Sequence, residues 1–158
     1  MNTAYVALGA NIGDPAVTVQ AALAALADLP ESRVLRASSL YRTAPIGLRN
    51  QPDFINAVAA LGTRLGAEAL LDSLLNLEIR FGRHRRDHNG PRTLDLDLLL
   101  YDDSEVDLPH LTVPHPRLHL RAFVLCPLAE IAPGLTIPGR GSVIAWLPAV
   151  ANQGIERL

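Results

Sequence analysis

Between Gly90 and Leu100 the chain reads Gly-Pro-Arg-Thr-Leu-Asp-Leu-Asp-Leu-Leu-Leu, an apolar strand interrupted by Asp95 and Asp97. Successive strand side chains face opposite ways, so Asp95 and Asp97 share one face while Leu94, Leu96 and Leu98 share the other. One face of the sheet built on this strand is core, and the other is chemistry. Carboxylates about 6–7 Å apart along a strand repel by roughly 3 kcal/mol at an effective dielectric of about 20, which a fold rarely tolerates without a compensating cation. Magnesium is the natural candidate, because it takes one or two protein carboxylates and leaves its other positions to water and substrate phosphates. The neighbouring Arg83, Arg85, Arg86 and Arg92 suit the remaining phosphate oxygens.

The other bulk properties narrow the field. A chain of 158 residues, 49% hydrophobic, fills one core and is too short for two ordinary domains, so a single domain over 1–158 is expected. The apolar runs 21–27 and 94–101 are far short of a membrane span, and no basic segment followed by an apolar core opens the chain. The expectation is a cytoplasmic protein. Its net charge of −2 argues against a general nucleic-acid binder. All 14 basic residues are arginine, which excludes both the Walker A loop and the protein-kinase strand lysine as routes to ATP. Cys126, the sole cysteine, sits in an apolar run and reads as a packing residue.

Along the chain, residues 4–9 read as a buried strand and 9–14 as the turn after it. Asp14 caps a helix with Pro15 at its first position, and an apolar stripe carries it to Leu29. Residues 33–42 read as a second strand, 43–52 as a long loop of the kind that is often functional, and 53–65 as a third strand. A second amphipathic helix covers 67–81, with Gly82 at its C-terminal cap. The arginine loop 83–92 and the aspartate strand follow, and the remainder is proline-punctuated, with short helical pieces at most. Strand, helix, strand, strand, helix, strand is the order of a ferredoxin-like α+β sandwich, two helices covering one face of an antiparallel sheet.

Several segments together resemble the 6-hydroxymethyl-7,8-dihydropterin pyrophosphokinase family: Tyr5-Val6-Ala7-Leu8-Gly9-Ala10-Asn11, Tyr41-Arg42-Thr43-Ala44-Pro45, Gln51-Pro52-Asp53-Phe54-Ile55-Asn56-Ala57 and Gly90 to Leu99. Val113-Pro114-His115-Pro116-Arg117-Leu118, Arg121 to Leu125 and Pro127 to Pro133 extend the likeness to nearly the whole chain. The resemblance implies transfer of pyrophosphate from ATP to the pterin hydroxymethyl group with release of AMP. It implies two magnesium ions on Asp95 and Asp97, and Arg83, Arg85 and Arg92 as phosphate clamps, Arg83 and Arg92 acting in catalysis. It also implies His115 and Arg121 approaching the nucleotide from the far side, with Glu78, Leu98, His110, Leu111 and Thr112 near it. For Glu78 a solvated or capping helix carboxylate is an equal reading. The pterin falls, by the same resemblance, between Phe54 and Phe123, with Thr43 and Asn56 and the backbone of Ala44 and Ile46 at its edge.

The resemblance further implies a monomer acting on small molecules, with neither nucleic acid nor membrane as partner. His84, His88 and His119 read as surface residues, Tyr41 and Trp146 as packing, and Asn11 as a turn former that supports the floor of the site. Asn89 stands where some members carry an aromatic residue, Pro116 where some have tyrosine and His110 where some have arginine. A different two-metal phosphoryl-transfer enzyme or nuclease, and a ferredoxin-like binding module, are the competing readings.

Overall fold

The first helix begins where Asp14 supplies an acceptor: its side chain takes the Val17 N–H at 3.4 Å, with Pro15 at the first helical position. The computed structural model describes residues 1–45, 50–82 and 93–158. Strand β1 (Asn2–Ala10) leads into helix α1 (Pro15–Leu26), which stops short of the expected Leu29. Its end tightens into three-residue bonds, Ala27, Asp28 and Leu29 donating to Ala24, Ala25 and Leu26. Helix α2 (Ala67–Arg80) buries Leu70, Leu74 and Leu77 on one stripe and ends at Gly82, whose φ of 83° is the left-handed turn that closes a helix.

The expected second strand is two strands, β2 (Ser32–Ala37) and β3 (Tyr41–Thr43), both antiparallel to β4 (Phe54–Thr63). Ser38 breaks the run. Its hydroxyl accepts the Val58 N–H at 2.9 Å, the place a ladder carbonyl would take, and the next N–H, Ser39's, turns to the Glu130 carboxylate. With β5 (Asp95–Tyr101), the main sheet runs β3-β4-β1-β5, all antiparallel, and β2 also lies on β4. Counting β2 and β3 as one segment, this is the ferredoxin-like α+β order.

The last third of the chain holds more structure than its prolines suggest. Beyond the ribbon of β6 (Val106–Leu108) and β7 (Leu111–Val113) and a 3-10 turn at Leu118–Leu120 comes a ten-residue helix, α3 (Ala122–Ile131), with Pro127 inside it. Six of its ten residues are buried, so packing rather than propensity holds it. A small hairpin of β8 (Thr136–Ile137) and β9 (Gly141–Ser142) and a 3-10 helix at Val143–Val150 follow. Strand β10 (Ile155–Arg157) then adds itself to β3 at the sheet edge.

The sheet is therefore covered on both faces, not one. α1 and α2 pack on Val6, Leu8, Ile55, Leu61, Leu96 and Leu98. α3 packs on Val58, Ala60, Leu99 and Leu100 of the opposite face. Glu130 anchors α3 to the sheet: it accepts from Tyr41 Oη at 2.7 Å, from the Ser39 hydroxyl at 3.0 Å and from Arg157 at 3.3 Å. Burial alone would raise its carboxyl; the hydrogen bonds from Tyr41 and Ser39, with the Arg157 charge, outweigh that and hold it below the usual carboxylate range. Tyr41, buried against that carboxylate, is pushed well above the ordinary phenol value.

Candidate active site

Strand register decides which side chains meet. Tyr41 lies opposite Asn56, Asn56 opposite Gly9, and Gly9 opposite Asp95, one row across four strands on the α3 face. Thr43 opposite Phe54 and Ala7 opposite Asp97 give the flanking rows. A cavity opens over these rows, about 800 Å³ counting its mouth. Its floor is Ala7, Leu8 and Gly9, its carboxylate edge Asp95 and Asp97, its cationic edge Arg117 and Arg121, and its apolar walls Phe54 and Phe123; Thr43, Ala44 and Asn56 complete it.

The polar floor is preorganised. Asn56 and Thr43 are both buried, and Asn56 Nδ2 donates to Thr43 Oγ1 at 2.8 Å. That bond fixes the amide and leaves the threonine hydroxyl its own proton to donate. The Asn56 carbonyl oxygen hangs over Gly9: a Cβ at position 9 would stand 2.9 Å from it, so only glycine leaves it room. At the adjoining strand end Asn11, buried, donates to Gln51 Oε1 at 2.8 Å and to the Pro52 carbonyl at 3.0 Å, fixing the chain that enters β4.

The carboxylate strand carries a bulge. Val6 pairs with Leu98 but Tyr5 with Leu100, so Leu99 is the extra residue, and Leu99 and Leu100 both turn toward the α3 core. The Leu99 carbonyl accepts the His115 N–H at 2.9 Å, which brings His115 to the aspartate side of the sheet. His115 Nδ1 accepts the Arg117 N–H at 3.2 Å, so its neutral ring carries hydrogen on Nε2. Burial, then the Arg121 charge, lowers its pKa to about 4, against an opposing pull from Asp95. The ring is therefore a neutral donor at physiological pH. Arg121 lies with its guanidinium carbon 5.4 Å from the Phe123 ring centroid, a cation–π contact between two walls of the cavity.

A model of the 7,8-dihydro-6-hydroxymethylpterin-pyrophosphokinase family matches residues 5–133. The chain belongs to this family. A 2-amino-4-hydroxy-6-hydroxymethyldihydropteridine pyrophosphokinase of Pseudomonas aeruginosa is 49% identical over 154 residues, 98% of this chain and 95% of that protein. The Haemophilus influenzae enzyme of the same name is 44% identical over 158 residues, 100% of this chain and 99% of that protein. A solved Plasmodium falciparum HPPK-DHPS structure with pteroate shares the fold at a TM-score of 0.75 and 12% identity, over 94% of this chain and 42% of that one. Membership gives the chain its activity, pyrophosphoryl transfer to 6-hydroxymethyl-7,8-dihydropterin in folate synthesis, with ATP the nucleotide that the family uses.

Of the residues that the resemblance marks, Thr43, Ala44, Phe54, Asn56, Asp95, Asp97, Arg121 and Phe123 share the cavity. Others are placed elsewhere. Glu78 is buried to 1% exposure, which excludes a solvated helix carboxylate; its Oε2 accepts the Leu96 N–H at 2.7 Å, bracing the strand between the two aspartates from the α2 side. Leu98 and Leu111 send their side chains into the α1–α2 core, leaving only backbone to meet a ligand. Thr112 is exposed on β7, and His110 pairs with Glu68 at 3.0 Å on the surface. Ile46, Arg83, Arg85, Arg86, Asn89 and Arg92 lie outside the described residues, as do His84 and His88.

His119 is not a surface residue. It is buried, its Nε2 accepts from Arg140 at 2.9 Å, and its ring meets Trp146 edge-on with centroids 4.8 Å apart. Burial and the Arg140 charge lower its pKa. Cys126 is a free thiol packed beside the α3 core, raised by burial. Four residues that line the cavity, Ala7, Leu8, Gly9 and Arg117, are not among the site residues expected from the sequence. Gly9 reads as the junction of the first strand and the turn after it, and its value lies in a contact that only register reveals. Arg117 carried a legible signal: it is the middle member of a basic series at 115, 117 and 121.

Proposed function

We propose that ATP and the reduced pterin meet in this cavity, the triphosphate along Asp95, Asp97, Arg117 and Arg121 and the pterin between Phe54 and Phe123. One observation carries the reading: two carboxylates, two guanidiniums, two phenyl rings and a buried amide–hydroxyl pair line a single cavity. A flat, polar heterocycle needs aromatic faces and a row of donors and acceptors at its edge, which Phe54, Phe123, Asn56 and Thr43 supply.

The paired carboxylates are hard oxygen donors on one side of the cavity, which fits magnesium. Asp95 and Asp97 would hold two such ions, whose chemistry is charge neutralisation on the phosphates and polarisation of the pterin hydroxyl. The hydroxymethyl oxygen attacks the β-phosphorus of ATP. The bond from that phosphorus to the oxygen shared with the α-phosphate breaks, AMP leaves, and the hydroxyl proton passes to solvent. The protein's own work is alignment and charge. Asn56 and Thr43 set the pterin edge, Arg117 and Arg121 offset phosphate charge, and neutral His115 donates from Nε2 to a phosphate oxygen. The same reading gives Arg83, Arg85 and Arg92, outside the described residues, the other phosphate oxygens, and the backbone of Ile46 a place at the pterin edge.

We place the enzyme in the cytoplasm as a single chain; no helix among the described residues is long and apolar enough to cross a membrane. The test is AMP release from ATP and magnesium, with and without 6-hydroxymethyl-7,8-dihydropterin. Pterin-dependent AMP is the expected result. ADP in its place means γ-phosphoryl transfer and overturns the proposed alignment.

A further inference from the structure

Arg121 stands at an awkward point of the chain. It is a single extended residue, φ −124° and ψ 117°, between the 3-10 turn 118–120 and helix α3. It offers α3 no side-chain cap, and the N–H of Ala122, the first residue of the helix, is one of the donors a helix leaves without an internal partner. That donor goes to Gln153. Gln153 Oε1 accepts the Ala122 N–H at 2.8 Å, and its Nε2 donates to the Leu120 carbonyl at 2.9 Å. One amide thus grips the backbone on both sides of Arg121.

The grip comes from a fixed support. Gln153 N–H bonds the Val150 carbonyl at 3.0 Å, and two residues later Ile155 pairs with Thr43 in the sheet. The segment from 150 to 157 therefore touches the cavity's cationic edge through Gln153 and its polar floor through β10. We infer that Gln153 is a positioning residue: its amide clamps the Leu120–Ala122 backbone and so aims Arg121 into the cavity. This rests on the proposed role of Arg121 in holding the nucleotide.

The test compares Gln153→Leu, which removes both bonds, with Gln153→Glu, which keeps an acceptor for Ala122 but cannot donate to Leu120. Each is made in the unaltered chain and in an Arg121→Ala background, and KM for ATP, KM for the pterin, kcat and Tm are measured. Gln153→Leu is expected to raise KM for ATP roughly tenfold, with KM for the pterin within about twofold, and to add nothing once Arg121 is alanine. Gln153→Glu is expected to fall between, and it stands in if the leucine variant does not fold. An equal penalty in both backgrounds shows support of the fold alone and overturns the inference, leaving Arg121 in its role. Unchanged kinetics for Arg121→Ala overturns that role and the inference together.

Discussion

Replacing Gly9 by alanine isolates one contact. The new Cβ stands 2.9 Å from Asn56 Oδ1, a separation real Cβ atoms essentially never show, and the backbone there is ordinary strand. Asn56 is the partner that must yield, but it is 5% exposed and its Nδ2 is tied to Thr43 at 2.8 Å. Giving up that bond inside the protein costs about 1–3 kcal/mol, and alanine in place of a strand glycine returns about 0.5–1 kcal/mol. The balance, about 0–2.5 kcal/mol, lowers Tm by no more than about 10 °C in a chain of this size. Function suffers more, because both groups proposed to read the pterin edge lose their arrangement. The expected result is a KM for the pterin raised roughly 10–100-fold, the factor for losing one or two hydrogen bonds, with KM for ATP within about twofold. AMP release at varied pterin and varied ATP, alongside a thermal melt, reads both quantities. A folded Gly9→Ala enzyme with unaltered KM for the pterin refutes the claim that the Asn56–Thr43 pair holds the substrate.

Asp95→Asn and Asp97→Asn should each cut turnover by at least roughly 100-fold while Tm stays within a few degrees, both residues being only half-buried; full activity in either folded variant removes the carboxylates from the mechanism. His115, with a folded pKa lowered to about 4, binds fewer protons folded than unfolded, so its contribution to stability is complete above the unfolded value near 6.5 and fades as pH falls toward 4. A proton NMR titration should place its midpoint near 4, and a midpoint near 6.5 contradicts the partly buried neutral donor. Glu130 is also held low, so the stability it lends is present above the ordinary carboxylate pKa and lost below it. Glu130→Gln should lower Tm at pH 7 yet converge on the unaltered chain in acid; a penalty constant with pH would mean that the charge of Glu130 plays no part.

Much of this could be read in the residues, for physical reasons that differ by element. The β5 alternation placed Asp95 and Asp97 on one face because period two is a property of the strand itself. Asp14, Pro15 and Gly82 marked helix ends because capping is local chemistry. α3 was hidden because Pro127 argues against a helix, and only burial against Val58 and Leu99 outweighs it. The division of β2 from β3 was hidden because Ser38 substitutes its hydroxyl for a ladder carbonyl, which no pattern of apolar residues records. The Leu99 bulge was invisible for a simpler reason: with leucine at 98, 99 and 100, a slip in alternation leaves no trace. In the site, Phe54, Asn56 and Asp95 were legible from their motifs, whereas Gly9 and the burial of Glu78 and His119 are products of packing across the chain.

β5 is the last strand of the main sheet, and an edge strand with open backbone groups invites a strand from another copy to add to it. Here the Leu96 N–H is taken by Glu78 and the Leu99 carbonyl by the His115 N–H. The contacts that brace the aspartate strand and bring His115 beside it thus also occupy two backbone groups of its outer margin. A change at Glu78, whose side chain takes the Leu96 N–H, carries a second cost, measured not in turnover but in the concentration at which the protein begins to aggregate.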